Sequence, residues 1–439
     1  MMAQLPLLAG RNHGKWIVND RGGLTQAEFL YRVHHLANCL PEHRYAIMLP
    51  RGGEEFLTGF CAALVRGQTT LFPVNDTDVA VAGLAERYPD CYVISDAPRP
   101  MSTITVDISS IQGENGTTED MPTLDSNHVV AILHTSGSTG EPQPHEKTWG
   151  TMVAGVNRWC NRFGIGSSDY IVTTVPWQHM YGFEAAVLLP LQTGAAVFSG
   201  CPFYPADVAA ALRSGVSKVT LMTTPVHLRI CGQSDLDWSS LRFVVSSTGN
   251  LDPRVAGTCE TRMHTRVMEI FGSTETGAIA SRHPSTEKFW LCLDGLQLDT
   301  RGAITSIRDS VAGISTPITD EIDVIDGKTF ELHGRPEDML KIAGKTASMA
   351  DLNLRLNRIT GVQDGIFIRR HDQSREVDRL IALVVAPELE EQQIRVELAS
   401  QVDSVFLPRR IYFIDKLPRN GTGKISKQAI QRLIVQLTN

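Results

Sequence analysis

The sequence predicts an α/β fold, with a large N-terminal domain of layered α/β sheets followed by a β-rich subdomain and a small α+β domain. Up to about residue 280, short apolar runs alternate with segments that are apolar at helical spacing, as in sheets covered by helices. Several of these runs end in short polar loops that contain glycine. The chain of 439 residues is too long for one ordinary core, so we expect at least two domains.

The composition is that of an ordinary globular protein, with 42% hydrophobic and 20% charged residues. The net charge of -7 gives no general electrostatic reason to bind nucleic acid or an anionic membrane. The eight cysteines are scattered without the spacing of a metal site. Because we find neither a signal peptide nor an apolar segment long enough to span a bilayer, we expect a cytoplasmic protein.

The first predicted elements alternate between helix and strand. A helix begins near Thr25, a residue type that caps helices, and continues to about Leu40. The elements predicted after it are a strand at Tyr45–Leu49, a helix at Glu55–Leu64, a strand at Thr69–Pro73, a helix at Val79–Tyr88 and a strand at Val129–Leu133. This alternation favours a parallel sheet.

The middle of the chain repeats the pattern. The predicted elements are helices at Trp149–Arg162 and Pro205–Ser214, and strands at Tyr170–Val175, Ala195–Ser199, Val219–Met222, Arg242–Ser246 and Arg266–Ile270. From about residue 284 the runs become short and β-like, and Asp326-Gly327 predicts a hairpin. We place a domain boundary at Glu337, which gives an N-terminal core of residues 1–336 and a C-terminal domain of residues 337–439.

A loop rich in glycine and hydroxyl groups follows the strand at Val129–Leu133. It runs through Thr135, Ser136, Gly137, Ser138, Thr139 and Gly140. Glycine lets the backbone approach a ligand closely, and free N–H groups and hydroxyls can surround phosphate oxygens. The loop lacks the Gly-Lys-Ser/Thr ending of a Walker P-loop. It is therefore either a phosphate-binding loop or an ordinary surface loop.

Other polar loops follow neighbouring strands, and ligands of open α/β sheets bind beyond the carboxyl ends of the strands. Glu275 follows one strand and suits Mg²⁺, which favours one or two carboxylates together with phosphate oxygens. Its alternative role is a solvated cap of a helix. Trp177 and Tyr181 lie in an aromatic loop with His179, and they either wall a substrate pocket or belong to the core.

Three charged residues in the last third of the chain are further candidates. Asp320 precedes a strand and is suited to accept hydrogen bonds from ribose hydroxyls, or it is a turn residue. Arg335 lies at the domain break and either contacts a nucleotide or is a surface arginine. Lys424 lies in a glycine-rich loop from which it can bring positive charge to a transition state, or it is a solvated lysine.

Together and in this order, these segments resemble the motifs of the adenylate-forming superfamily, which includes acyl- and aryl-CoA ligases, luciferase and adenylation domains of peptide synthetases. The resemblance covers about residues 120–439. The residues that it assigns to ATP are Thr135, Ser136, Gly137, Ser138, Thr139, Gly140, Thr248, Gly249, Asn250, Glu269, Phe271, Gly272, Ser273, Thr274, Asp320, Arg335 and Lys424. Those that it assigns to the acid substrate are Trp177, His179, Tyr181, Gly182, Val226, Ser247 and Gly277.

The resemblance also implies roles in the reaction. Glu275 would hold Mg²⁺, with Thr274 near the phosphates and His179 beside the acid. Lys424 would be the catalytic lysine of a mobile C-terminal domain. Glu337 would be the hinge of that domain.

The sequence departs from the superfamily in three places. Gln143 replaces the lysine that usually ends the phosphate loop, and Lys147 is a candidate for the missing charge. Ile318 precedes Thr319-Asp320 where a Thr-Gly-Asp motif is usual. The segment before the phosphate loop is short, which resembles the compact AMP-ligases of bacterial aryl polyene and xanthomonadin pigment clusters.

The implied activity is a two-step ligation that uses ATP and Mg²⁺. A carboxylic acid, preferably an aryl acid such as a hydroxybenzoate, becomes an acyl-AMP. After rotation of the small domain, a phosphopantetheine thiol takes the acyl group, and the expected partner is an acyl carrier protein. Two alternatives stay open, namely a ligase that uses free CoA and an inactive nucleotide-binding protein, which Gln143 would favour.

Overall fold

The computed structural model describes residues 3–19, 22–98, 103–110, 116–136, 142–214, 218–302, 304–310, 312–335, 338–342, 345–372, 377–419, 425 and 427–438. Contacts divide the chain into two compact units. The first unit comprises Met1–Asp299 and Ser306–Thr316, and the second comprises Thr300–Thr305 and Pro317–Asn439. The boundary predicted at Glu337 falls inside the second unit, and Glu337 itself lies outside the described residues. The hinge there stays a prediction.

The first unit begins with a sheet whose order is β6-β5-β3-β4-β8-β9. Its strands and the neighbouring ones are β1 (Gln4–Pro6), β2 (Ile17–Val18), β3 (Tyr45–Met48), β4 (Thr69–Phe72), β5 (Cys91–Ser95), β6 (Thr105–Asp107), β7 (Thr123–Asp125), β8 (Val129–Ser136) and β9 (Pro142–Thr148). The helices are α1 (Gln26–Cys39), α2 (Gly53–Val65) and α3 (Asp78–Arg87), with a 3₁₀ turn at Ile108–Ser110. All sheet neighbours are parallel except β8 and β9.

The start of α1 shows how local sequence fixes an element. The hydroxyl of Thr25 accepts a hydrogen bond from the Glu28 amide at 3.2 Å, and the Thr25 amide donates to the Glu28 carboxylate at 2.7 Å. This capping box satisfies two donors that a helix start leaves without partners. The hydrogen bonds from Thr25 lower the pKa of Glu28 to about 2. The capping role predicted for Thr25 is confirmed.

A second sheet of the first unit has the order β2-β11-β10-β12-β13-β14-β15-β16. Its further strands are β10 (Tyr170–Thr173), β11 (Ala196–Phe198), β12 (Val219–Thr223), β13 (Leu241–Ser246), β14 (Arg266–Ser273), β15 (Gly277–Arg282) and β16 (Trp290–Cys292). The helices are α4 (Trp149–Phe163), α5 (Met180–Phe183), α6 (Leu189–Thr193), α7 (Pro205–Arg213), α8 (Pro225–Gln233) and α9 (Pro253–Met263), with a π-helical turn at Glu184–Leu188. The strands from β2 to β14 are parallel, whereas β15 and β16 are antiparallel.

Buried aromatic rings join the two sheets of the first unit. The ring of Phe183 in α5 packs 5.0 Å from Phe60 of α2 and 5.0 Å from Phe72 of β4. All three side chains are at most 1% exposed. Burial of such large apolar surfaces is the main favourable contribution to this core.

The last part of the chain contains the second unit. Three short strands, β17 (Leu296–Arg301), β18 (Ile304–Asp309) and β19 (Ile314–Pro317), span the division between the units. The elements after them are β20 (Glu321–Val324), β21 (Thr329–Gly334), β22 (Met339–Ile342), β23 (Lys345–Ser348), α10 (Met349–Asn357), β24 (Asp364–Asp372), β25 (Val377–Val385), α11 (Glu391–Gln401), a 3₁₀ turn at Ser404–Phe406, β26 (Ile411–Phe413) and α12 (Lys427–Thr438). Strands β20 and β21 form the predicted hairpin around Asp326.

The predicted α/β class is confirmed, and the structure contains several elements that the sequence patterns do not predict. Strand β9 was missed because Pro142-Gln143-Pro144 looked like the end of a loop. It lies at the edge of its sheet, where a strand tolerates prolines because fewer backbone N–H groups are needed for pairing. In the described part of the chain, no helix is long and apolar enough to cross a membrane.

Candidate functional site

The loops after β10, β12, β13 and β14 leave the same edge of the second sheet, because these strands are parallel neighbours. Backbone hydrogen bonds tie the loops together at their start. The amide of Thr174 donates to the carbonyl of Met222 at 3.0 Å, and the amide of Ser247 donates to that of Thr223 at 3.1 Å. The predicted convergence of the polar loops at one carboxyl edge is therefore present.

The turn after β13 is anchored at both ends and open in the middle. The hydroxyl of Ser247 donates to the carbonyl of Ile270 at 3.0 Å. Thr248 has a positive φ of 76°, a conformation that costs a residue other than glycine some strain. Gly249 and Asn250 are exposed. The fixed ends present an open backbone turn, which suits the nucleotide contact predicted for Thr248–Asn250.

Glu269 supports this turn from the interior. Its carboxylate accepts hydrogen bonds from the amide of Leu251 at 3.0 Å and from Nε of Arg282 at 2.8 Å. The residue is only 2% exposed. Burial raises the pKa of Glu269, and the charge of Arg282 opposes the shift. The Glu269 carboxylate, which is predicted to bind ATP, thus accepts hydrogen bonds from two groups of the protein. Through one of them it positions the turn at Leu251.

The segment between β14 and β15 is a tight turn with Glu275 at its tip. The amide of Ser273 donates to the hydroxyl of Thr276 at 3.1 Å, and the amide of Thr276 donates back to the hydroxyl of Ser273 at 3.2 Å. Gly277 has a φ of +66°, which glycine adopts at little cost. The side chain of Glu275 is 37% exposed. We call residues 273–277 the Glu275 turn.

Gly272 and Phe271 precede the turn, and their contacts help to define its geometry. A Cβ atom at Gly272 would lie 2.1 Å from the carbonyl oxygen of Gly277, so only glycine allows the two strands to approach this closely. The ring of Phe271, which the sequence assigns to adenine, packs 5.6 Å from Trp290. Thr274 is half-buried between the two strands.

The hairpin of β8 and β9 brings the ends of the phosphate loop to the Glu275 turn. Thr135 pairs with Gln143 across the hairpin, and its hydroxyl lies 3.0 Å from Nε2 of His145. The same nitrogen lies 3.6 Å from the Glu275 carboxylate. The ammonium of Lys147 donates to the carbonyl oxygen of Glu275 at 2.7 Å.

The loop between these strands is only partly described. Gly137, Ser138, Thr139 and Gly140 lie outside the described residues, and Ser136 is described only as the end of β8. Their contacts with phosphate stay predictions.

Two groups of opposite charge are buried next to the Glu275 turn. Lys147 is 7% exposed, and burial lowers its pKa to about 8 although Glu184 and Glu275 oppose the shift. Glu184 is 4% exposed, and burial raises its pKa to about 7. Burial also lowers the pKa of His145, against the effect of Glu275. The charges of this region are therefore sensitive to pH near neutrality.

The aromatic loop after β10 is largely built into the core. The hydroxyl of Tyr181 donates to the carbonyl of Val245 at 2.7 Å, and its ring stacks on Trp159 at 5.8 Å. Trp177 is 3% exposed and packs against Phe56. These two rings hold the loop in place, and a direct contact of either ring with substrate stays a prediction.

The other residues assigned to the acid lie at element ends. Nδ1 of His179 accepts a hydrogen bond from the amide of Tyr181 at 3.3 Å and so caps α5. A Cβ atom at Gly182 would lie 2.1 Å from the carbonyl oxygen of Pro176, which explains why the position is glycine. Val226 is half-buried at the start of α8.

In the second unit, Asp320 and Arg335 come together as an ion pair. Nε of Arg335 lies 3.9 Å from Oδ1 of Asp320. The Arg335 side chain is 51% exposed and the Asp320 side chain 14% exposed, so both groups remain reachable from solvent. This is consistent with the predicted contacts with ribose. Lys424 lies outside the described residues, and its role stays a prediction.

The structure adds two residues that the sequence analysis did not single out, His145 and Glu184. His145 and Lys147 are two positions apart on one strand, so they project to the same side. This signal was hidden because β9 was not predicted. Glu184 gives only a weak signal, an acid in the apolar run Phe183–Leu189.

The donor set at the Glu275 turn fits Mg²⁺ in the presence of a nucleotide. Glu275 offers one partly exposed carboxylate beside the end of the phosphate loop, and Mg²⁺ commonly binds one or two carboxylates together with substrate phosphates. In the described part of the chain, no group of three or more metal-ligating side chains is present. The geometry therefore suits a metal that arrives with the phosphates.

Comparison with known proteins gives consistent matches. A family model described as AMP-binding enzyme matches residues 59–331. The 4-coumarate–CoA ligase of Halorhodospira halophila is 26% identical over 311 residues, which are 68% of this chain and 76% of the ligase. Three further curated relatives are matched over 65–66% of their own length.

Solved structures share the fold. O-succinylbenzoate coenzyme A synthetase of Bacillus subtilis, in complex with AMP, superposes with a TM-score of 0.81 at 14% identity, over 96% of this chain and 97% of that one. A benzoate CoA ligase of Burkholderia xenovorans gives a TM-score of 0.78 at 14% identity, over 96% and 97%.

Proposed function

Because the chain belongs to the family of AMP-binding enzymes, we propose that it adenylates an aromatic carboxylic acid and transfers the acyl group to a phosphopantetheine thiol. The resemblance to the adenylate-forming superfamily is confirmed, and the enzyme class is that of AMP-forming acid–thiol ligases. The narrower resemblance to the ligases of pigment clusters stays a prediction.

The observation that carries the proposal is the link between the phosphate-loop hairpin and the Glu275 turn. His145 lies 3.0 Å from the Thr135 hydroxyl and 3.6 Å from the Glu275 carboxylate. A hydroxyl, an imidazole and a carboxylate thus meet where the hairpin ends and the second sheet has its carboxyl edge. Such an arrangement suits a triphosphate with its metal.

In the first proposed step, a carboxylate oxygen of the acid attacks the α-phosphorus of ATP, and the bond from phosphorus to the pyrophosphate oxygen breaks. The products are acyl-AMP and pyrophosphate. Bound Mg²⁺ would neutralise phosphate charge, and Glu275 would hold it. The other residues act by positioning and by charge, since such phosphorus transfers need little covalent help from the protein.

In the second step, a thiol attacks the acyl carbon of acyl-AMP. The thioester forms, AMP leaves, and the thiol proton is released. The roles predicted from the sequence for Lys424 in adenylation and for Glu337 as a hinge belong to this proposal.

An aromatic acid is supported by the relatives that are named 4-coumarate–CoA ligases, whereas other relatives are named for oxalate, sulfoacetate and medium-chain fatty acids. The sequence resemblance favours a hydroxybenzoate. The acceptor is proposed as an acyl carrier protein, again from the sequence resemblance. Free CoA is the second candidate, because the named relatives are CoA ligases.

The test is exchange of labelled pyrophosphate into ATP with a panel of hydroxybenzoates, cinnamates and fatty acids. We expect exchange with aromatic acids and loss of exchange in Glu275→Gln. Exchange with aliphatic acids alone would refute the aromatic substrate. A lack of exchange with every acid would favour an inactive nucleotide-binding protein.

The acceptor is tested separately with the acid that exchanges best. Thioester formation is measured with free CoA and with a holo acyl carrier protein at equal concentrations. We expect faster transfer to the carrier protein. Faster transfer to free CoA would instead identify a CoA ligase.

A further inference from the structure

A pair of buried charges lies beside the Glu275 turn, and the proposed reaction does not use it directly. Lys147 comes from β9 and Glu184 from the π-helical turn, and both are at most 7% exposed. Each charge favours the ionised form of the other. Buried charges are costly in desolvation, and these two contact the same turn from different elements.

Strand β9 holds the Glu275 turn at two points. His145 and Lys147 project from the same side of this strand, since side chains two positions apart share a face. Nε2 of His145 lies 3.6 Å from the Glu275 carboxylate, whereas Nζ of Lys147 donates to the Glu275 carbonyl oxygen at 2.7 Å. One strand face thus lies near the Glu275 side chain and holds the Glu275 backbone by a hydrogen bond.

Glu184 holds the other end of the same turn. Its Oε1 accepts a hydrogen bond from the amide of Ala278 at 3.3 Å. A Cβ atom at Gly277 would lie 2.9 Å from the same oxygen, so the carboxylate occupies the space that a side chain would need. The Lys147 ammonium therefore contacts the turn at Glu275, and the Glu184 carboxylate contacts its other end at Ala278.

We propose that Lys147, with Glu184 as its counter-charge, is a positioning residue that locks the Glu275 turn onto the hairpin of the phosphate loop. This inference rests on the proposed function. Lys147 holds the carbonyl of Glu275 and would thereby orient the Glu275 carboxylate for binding Mg²⁺ together with the nucleotide.

The test measures binding of ATP by calorimetry at a series of Mg²⁺ concentrations, with the full chain and without any acid. The variants are Lys147→Met, Lys147→Arg, Glu275→Gln and the double variant Lys147→Met/Glu275→Gln. We expect Lys147→Met to raise the Mg²⁺ concentration for half-maximal ATP binding by about tenfold or more, the usual effect of removing a group that orients a metal ligand.

The double variant and Lys147→Arg distinguish a positioning role of Lys147 from a general structural role. If Lys147 acts through Glu275, the double variant should need no more Mg²⁺ than Glu275→Gln alone, because residues that act as one unit are not additive. Lys147→Arg keeps a buried cationic donor, so it should recover part of the Mg²⁺ response.

The matched control is Arg242→Met. Arg242 lies near the start of β13, at the edge opposite the site, and pairs with Asp169, whose side chain is 3% exposed. Its loss should destabilise the first unit and leave the Mg²⁺ response unchanged. An equal shift in Arg242→Met would overturn the proposal by showing that destabilisation alone moves the response.

Two other results would also overturn it, namely an unchanged Mg²⁺ response in Lys147→Met and additive effects in the double variant. Absence of pyrophosphate exchange would instead refute the proposed function, while the binding series would still decide the role of Lys147. Absence of Mg²⁺-dependent ATP binding in the wild-type protein would overturn both.

Discussion

Glu269 and Glu184 are both buried carboxylates of the first unit, but their charges are balanced in different ways. Arg282 contacts Glu269 through Nε at 2.8 Å and Nη2 at 2.7 Å. Glu184 accepts one amide hydrogen bond from Ala278 at 3.3 Å, and Lys147 acts on it as a charge. Glu269 is thus in direct contact with its cation, whereas burial lowers the pKa of the Lys147 ammonium near Glu184 to about 8.

The difference separates a carboxylate that its cation contacts directly from a carboxylate whose cation acts only through its charge. The Glu269–Arg282 pair holds the turn at Leu251 in one arrangement. The Lys147–Glu184 pair lies beside the residue that is expected to hold the metal, and both of its groups change charge near neutral pH.

Glu269→Ala should cause the largest loss of stability. It leaves the guanidinium of Arg282, whose side chain is 12% exposed, without its carboxylate. Breaking one partner of a buried pair typically costs ~3–5 kcal/mol. The measurement is urea unfolding followed by tryptophan fluorescence. Asp235→Asn, in a surface pair whose aspartate is 94% exposed, is the control and should leave the midpoint unchanged.

Glu184→Gln should change how stability depends on pH. Because the pKa of Glu184 rises from 4.5 to about 7 on folding, the folded state binds more protons between these values, and this group makes stability fall as pH rises. The difference in unfolding free energy between wild type and variant should therefore change by roughly 3 kcal/mol between pH 4.5 and 7. If the difference in unfolding free energy is constant with pH, the pKa of Glu184 is not raised in the folded state.

Gly277→Ala should disturb the Glu184 carboxylate as well as the backbone. A left-handed conformation costs an L-residue roughly 1–2 kcal/mol, and the new Cβ also meets Glu184 Oε1 at 2.9 Å. The control is Gly67→Ala, with a φ of +70° and open space around the new Cβ. Equal losses in urea unfolding would mean that the Glu184 carboxylate moves aside freely.

Tyr181→Phe should give the smallest effect, because the group that it removes is neutral. The variant loses the hydrogen bond to the carbonyl of Val245 at 2.7 Å, which is typically a loss of about 1 kcal/mol. The difference from wild type should not vary between pH 6 and 9, since burial raises the pKa of Tyr181 well above that range. A difference that varies with pH would mean that Tyr181 is coupled to the Lys147–Glu184 pair.

Much of the fold was predictable from local patterns. The strands at Tyr45, Thr69 and Val219 begin where apolar runs predicted them, and the capping residue Thr25 marks the start of α1. Among the elements that were missed, strand β9 has a local signal that conflicts with its environment. Strand β9 carries two prolines, and only its place at the sheet edge makes this acceptable.

The candidate site was predictable in outline but not in its contacts. Glu275 and the loops after the parallel strands were identified from the sequence, since motif and strand end coincide there. Glu269 was assigned to ATP, yet its carboxylate is occupied by Arg282 and Leu251. The Glu275 turn is contacted by residues from distant parts of the chain, namely His145, Lys147 and Glu184. No local sequence pattern predicts such long-range contacts.

The sequence by itself determined the α/β class, the family, and the order of the motifs from Thr135 to Asp320. The α/β class depends on periodicity and on turn residues, which act over a few positions, whereas the family rests on the resemblance of the motifs in their order. Only the tertiary structure decided that Lys147 lies against the Glu275 carbonyl and that Glu184 fills the space beside Gly277. Such contacts depend on strand register and helix packing, because these bring together residues that are far apart in the chain.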